Sequence, residues 1–212
     1  MWFPNEQRFS SQCQSFLVSQ NAADVAHDVN HIHRVVKAAK QLTQEEGADW
    51  GIVMPAAWLH DCVSLPKNHP DRAFASTMAA DKAIGFLESI EYPSAHHEAI
   101  HHAICAHSFS ANIPPKTLEA KIVQDADRLD ALGAIGIARC MQVSGALNRA
   151  LYASQDPFCE VREPNDSAYS IDHFYSKLFG IAETLNRPSA RHEGERRVAF
   201  MRDFLEHLAQ EI

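Results

Sequence analysis

An all-α fold follows from three features of the chain. Apolar residues recur at steps of three and four through most of its length, the spacing of one face of an α-helix. No segment alternates apolar and polar residues as a half-buried strand does. Capping residues, glycines and prolines fall where the periodic stretches start and stop. At 212 residues the chain fits one domain with a full hydrophobic core. The expected architecture is a single-domain helical bundle of about eight helices. Residues 1–22 would form an N-terminal helical extension and 23–212 the main domain, including the C-terminal packing helices.

Taken in order, Ser10 to Ser19 is a short amphipathic stretch and the first predicted helix. From Ala23 to Gln44, Val25, Val29, Ile32, Val36, Ala39 and Leu42 mark one helix face. His27, His31 and Arg34 lie on a neighbouring stripe, and Gly47 ends the helix. Asp49 is placed to cap the next helix, whose Ile52, Val53, Ala56, Ala57 and Leu59 are apolar on most sides and so belong at the centre of the core. Pro55 predicts a kink or a later start. On either reading this helix delivers the adjacent pair His60-Asp61. Ser64 to Pro70 then reads as a loop whose single cation is Lys67.

Helical spacing returns from Asp71 to Ile90 through Phe74, Met78, Ala79, Ala83, Phe86 and Leu87. Pro93-Ser94 opens a helix carrying His96, His97, His101, His102 and His107, which cannot all face one centre. A long helix is predicted from Lys116 to Val143, with Asp125, Asp127 and Asp130 among its core-type residues. Ala153 to Ser170, polar and proline-containing, is the expected mobile loop. Two amphipathic helices, Ile171 to Leu185 and Arg191 to Ile212, complete the chain.

The bulk composition excludes several classes. A net charge of −8 argues against binding a nucleic acid polymer by phosphate neutralisation. Five widely spaced cysteines with no Cys-x-x-Cys pair suggest neither a disulfide framework nor a zinc ribbon. With no signal-like N-terminus and no apolar run long enough for a bilayer, a soluble, cytoplasmic, membrane-free protein is expected. The anomaly is histidine, with thirteen copies, because imidazole is the commonest metal ligand. A buried His-Asp pair is costly without compensation, and a divalent cation compensates it. His31, His60-Asp61 and Asp127 stand on three separate predicted helices that a bundle can bring to one point. Mixed nitrogen and oxygen donors suit Mn, Fe, Ni, Co or Zn, and Mg less well.

The ordered set His31-Ile-His-Arg34-Val35, His60-Asp61, Pro66-Lys67, Ala106-His107-Ser108-Phe109-Ser110 and Asp125-Ala-Asp127-Arg128-Leu-Asp130-Ala-Leu-Gly133-Ala-Ile-Gly136 resembles the HD-domain metal-dependent phosphohydrolases. It is most similar to their small stand-alone bacterial branch, which includes nucleotide pyrophosphatases. The resemblance implies His31, His60, Asp61 and Asp127 as ligands of a divalent metal ion. It also implies catalysis at His60 and Asp61 and a small phosphorylated substrate, in that branch a (deoxy)nucleoside triphosphate split to monophosphate and pyrophosphate. His33 and Asp125, each two residues from a ligand, are left out. His107 is a candidate general acid by its chemistry. His107 or His101 can hold a second metal or contact substrate phosphate; one metal is expected, with both histidines in the pocket. Arg34 and Arg128 either pair with acids on their own helices or bind phosphate oxygens bidentately, and Lys67 is assigned to phosphate. The alternatives are a phosphatase or phosphodiesterase acting on another small metabolite, and a non-catalytic helical module that binds metal or nucleotide.

Overall fold

A computed structural model of the protein describes residues 5–20, 29–63, 65 and 69–212. Lys67 and the expected helical start at Ala23 lie outside those residues. Among the described residues the structure is all-α, and its one β-type pairing is the isolated bridge between Ala150 and Tyr169. The helices are α1 (Glu6–Gln20), α2 (Val29–Glu46), α3 (Trp50–Leu59), α4 (Ala75–Ser89), α5 (His97–His107), α6 (Leu118–Leu129), α7 (Gly133–Ala146), α8 (Phe179–Glu183) and α9 (Pro188–Ala209). Short 3-10 turns precede α4 and α5, and a π-helical turn, Phe174–Leu178, precedes α8. No helix among the described residues is long and apolar enough to cross a membrane. The chain forms two compact units, one ending at Asp127 and one running from Arg128 to Ile212.

In the first unit α3 is the central helix, touching α1, α2, α4 and α5. The Asp49 carboxylate caps it by accepting the Gly51 N–H at 2.8 Å. Gly51 and every residue from Val53 to Leu59 are buried, as an all-round apolar helix requires. Pro55 lies inside α3 and neither ends it nor starts it. Proline has no N–H for the Gly51 carbonyl four residues back. The Tyr92 hydroxyl supplies that donor instead, at 2.5 Å, which removes one cost of an interior proline. α1 begins four residues earlier than expected because Asn5 Oδ1 accepts the Gln7 and Arg8 N–H groups at 3.1 and 3.3 Å. Its Phe9, Cys13 and Leu17 are buried, and Phe16 stacks on Phe86 of α4 at 4.2 Å between ring centroids.

The long helix predicted from Lys116 to Val143 is two helices. α6 ends at Leu129; Leu132 is extended and Gly133, the first residue of α7, adopts φ +71, a left-handed conformation that interrupts the helical path. A Cβ on Gly136 would lie 2.2 Å from the Ala131 carbonyl oxygen, so only glycine permits that close return of the chain. In the second unit α7 and α8 each touch α9. The segment from Ala153 to Ser170 is non-helical as expected, but it is pinned. The Asp156 carboxylate accepts the N–H groups of Glu160, Val161 and Arg162 at 3.0 to 3.1 Å. Arg162 grips the buried Asp172 with two bonds of 2.5 and 2.7 Å.

Candidate metal centre

Two helix ends build the centre by the same device. A helix leaves its last carbonyls without intrahelical partners. At the end of α3 His60 folds back so that its Nδ1–H donates to the Ala57 carbonyl at 2.9 Å. At the end of α5 His107 does the same to Ile104 at 2.6 Å. A carbonyl can only accept, so in each neutral ring the proton sits on Nδ1 and the lone pair on Nε2. His60 is fully buried at 0% exposure and His107 nearly so. The Nε2 of the neutral His60 therefore presents a lone pair at a fixed angle, the orientation that a partner on the second ring nitrogen gives to metal-binding histidines, and the His107 Nε2 is fixed in direction by the same device.

His31 on α2 and Asp127 on α6 complete the cluster. His31 Nε2 lies 3.4 Å from His60 Nε2 and 3.4 Å from Asp127 Oδ1. His60 Nε2 is 3.8 Å from the same Asp127 oxygen and 3.7 Å from Asp61 Oδ2. The other Asp61 oxygen, Oδ1, faces His107 Nε2 at 3.4 Å. The donor atoms thus fall into two groups, His31–His60–Asp127 and His60–Asp61–His107, which share His60.

These separations exceed the 2.7 to 3.2 Å of ordinary N–H···O hydrogen bonds. Ligand atoms at about 2.1 Å from one cation lie about 3.0 Å apart at right angles and about 3.4 Å apart at tetrahedral angles. The cluster is near that spacing. Its protonation states fit as well. The His60 pKa is pushed down by burial, against the pull of Asp61 and Asp127. Burial opposes ionisation of Asp61, yet the imidazoles of His60, His107 and His31 hold its carboxyl well below the usual range. Asp127 is likewise held down, chiefly by His31 against the effect of burial. A neutral imidazole between two carboxylates is the donor state that a divalent cation requires. His107 moves the other way, since Asp61 beside it outweighs burial and raises its pKa.

The remaining expectations divide. His107 joins the cluster but His101 does not, because six residues along α5 place them on different faces. His101 Nε2 instead meets Asp81 Oδ1 of α4 at 2.9 Å. His33 turns to Gln14 of α1 at 3.0 Å and to the edge of Trp58, consistent with its omission. His97 meets the Tyr92 carbonyl at 3.0 Å, and His102 accepts the Lys116 N–H at 2.9 Å. Arg128 Nη1 donates to the Thr184 carbonyl at 2.6 Å, so this guanidinium has a structural partner that the sequence did not suggest. Arg34 stands one turn after His31 on α2. The sequence also missed Gln124, whose side-chain amide ties α6 to the Ala106 carbonyl at 2.7 Å. That bond braces the end of α5 against the helix bearing Asp127.

Comparison with known proteins agrees with this picture. The model of the family described as HD domain matches residues 28–132. The chain is 32% identical over 203 residues to the uncharacterized protein YpgQ of Bacillus subtilis, covering 94% of this chain and 89% of the relative. Among solved structures, an HD-superfamily hydrolase from Bacillus thuringiensis superposes with a TM-score of 0.76 at 33% identity, covering 98% of each chain. Bacillus subtilis YpgQ in complex with ADP superposes with a TM-score of 0.72 at 28% identity, covering 98% of this chain and 96% of that one.

Proposed function

This chain belongs to the HD-domain superfamily of hydrolases, and on that premise we propose that it is a metal-dependent phosphohydrolase acting on nucleotides. Its substrates are nucleoside or deoxynucleoside triphosphates, released as monophosphate and pyrophosphate. The observation that carries this reading is the convergence of side-chain atoms of His31, His60, Asp61, His107 and Asp127 at 3.4 to 3.9 Å. That a relative binds ADP supports a nucleotide ligand.

His31, His60, Asp61 and Asp127 would hold the cation, and their mixed nitrogen and oxygen donors favour Mn, Fe, Co or Ni over Mg. When bound there, a divalent cation supplies Lewis acidity toward a phosphoryl oxygen and toward water. The chain's own residues do the rest. Asp61 presents one oxygen to each histidine group and orients both. His107, at whose Nε2 Asp61 favours a proton, is placed to hand that proton to the leaving oxygen. Arg34, Lys67 and Arg128 are assigned to phosphate oxygens on sequence grounds, offsetting substrate charge in an acidic protein.

The test is simultaneous measurement of pyrophosphate and orthophosphate released from a panel of ribo- and deoxynucleoside triphosphates with Mn, with Asp127→Ala as control. Pyrophosphate from the wild type and none from the variant is the expected result. Orthophosphate alone would replace this assignment with a phosphatase. Silence with metal bound and the fold intact would point to a binding module.

A further inference from the structure

The cation and the basic residues account for recognition of phosphate, but neither distinguishes a nucleotide from a bare polyphosphate. A nucleobase offers a flat π-face, and the usual protein answer to it is an aromatic ring with an open face. Phe109 is such a ring. It is 84% exposed and lies two residues beyond His107, so its Cα is within about 7 Å of that of a cluster residue. The other exposed phenylalanine described in the first unit, Phe74, follows Asp61 by thirteen positions and has no such direct link.

The segment that carries Phe109 is held in place. Its carbonyl accepts the Asn112 N–H at 3.3 Å, closing a turn. Asn112 takes φ +52, a left-handed conformation in which asparagine is enriched. The hydroxyls of Ser108 and Ser110, the residues before and after Phe109, meet at 3.0 Å. Gln124 fixes the Ala106 carbonyl just before it, at 2.7 Å. The result is an exposed apolar ring with polar neighbours, on the segment that directly follows the cluster residue His107. Packing does not explain it, because the ring contributes little to the core.

We propose that Phe109 is the platform on which the substrate's nucleobase stacks, and hence a specificity-determining residue that selects nucleotides over base-free polyphosphates. This rests on the nucleotide reading above. Since every base has a π-face, the selection is tolerant of base identity and strongest for the larger purines.

Calorimetric titration of Mn-loaded protein with ADP and with inorganic tripolyphosphate tests it, using wild type, Phe109→Ala and Phe109→Trp. Phe109→Ala weakens ADP about tenfold and leaves tripolyphosphate affinity and thermal midpoint unchanged, while Phe109→Trp restores ADP binding. Equal ADP affinity in wild type and Phe109→Ala overturns the proposal, as does a matching loss for tripolyphosphate. Wild type binding ADP no more tightly than tripolyphosphate overturns it too. None of these results touches the phosphohydrolase assignment, which the release of pyrophosphate decides separately.

Discussion

Two clusters of ionisable side chains among the described residues are built on opposite plans. In the second unit Asp172 is 0% exposed, yet its oxygens accept three short bonds, two from Arg162 and one of 2.6 Å from the Asn165 N–H. Asp156 accepts three backbone N–H groups in the same segment. In the first unit His60 is equally buried, but its Nε2 has His31, Asp61 and Asp127 at 3.4, 3.7 and 3.8 Å. The first arrangement is complete and needs nothing further. The second brings nitrogen and oxygen atoms from four helices together at longer separations of 3.4 to 3.9 Å. A cluster held by short bonds fixes a loop, whereas one that converges at longer separations has the spacing proposed for a cation site. Burial of charge alone does not separate the two; the distances do.

Substitutions sharpen that contrast. The largest effect is expected from His60→Ala and Asp127→Ala, each of which removes a ligand. Turnover should fall by at least about a hundredfold, the upper loss seen when only an outer partner of a ligand is removed, while metal-free Asp127→Ala keeps its thermal midpoint. Steady-state kinetics beside calorimetry would check both halves. Arg162→Ala should do the reverse. It leaves the Asp172 carboxylate buried without its partner, lowering the melting temperature on the order of 10 °C, with turnover retained below the transition. A scan in which Arg162→Ala melts like wild type would break the distinction.

Smaller effects come from partly exposed pairs. Glu193 on α9 is bonded by Arg196 at 2.7 and 2.8 Å and by Arg197 at 2.7 Å. The Arg196 guanidinium, then Arg197, hold its carboxyl down to about 2 from an ordinary 4.5. A carboxyl depressed in the folded state adds stability that is complete above its unfolded value and lost as pH falls through the folded one. The Glu193 contribution is therefore present above pH 4.5 and lost toward pH 2, and as a surface pair it is worth at most about 1 kcal/mol. Denaturant unfolding of Glu193→Gln should show a shallower loss of stability over that range than wild type.

Much of this was legible in the sequence, for reasons that particular residues display. α2, α3 and α4 announce themselves by apolar spacing, and the Asp49 cap was readable because a carboxylate two residues before a helical N–H has one obvious bond to make. The ordered motif pointed to His31, His60, Asp61 and Asp127, and the fold brings these four side chains together. The failures were of tertiary origin. Pro55 reads locally as a kink or a later start; it lies inside α3, and Tyr92, distant in sequence, supplies the donor that it lacks. The division between α6 and α7 was signalled by Gly133 and Gly136, but periodicity runs straight through them, and the close approach to Ala131 is not visible in one dimension. His101 and His107 looked alike because both are histidines of one burst; Asp81 on α4 takes one and Asp61 the other.

The claim that the converging His-Asp cluster is a cation site is tested most directly by equilibrium dialysis of metal-free protein against Mn, followed by elemental analysis, for wild type, His60→Ala, Asp127→Ala and Arg162→Ala. The account predicts bound Mn in wild type and Arg162→Ala, and its loss in both cluster variants. Folded wild type that retains no Mn, or cluster variants that retain as much as wild type, would contradict it.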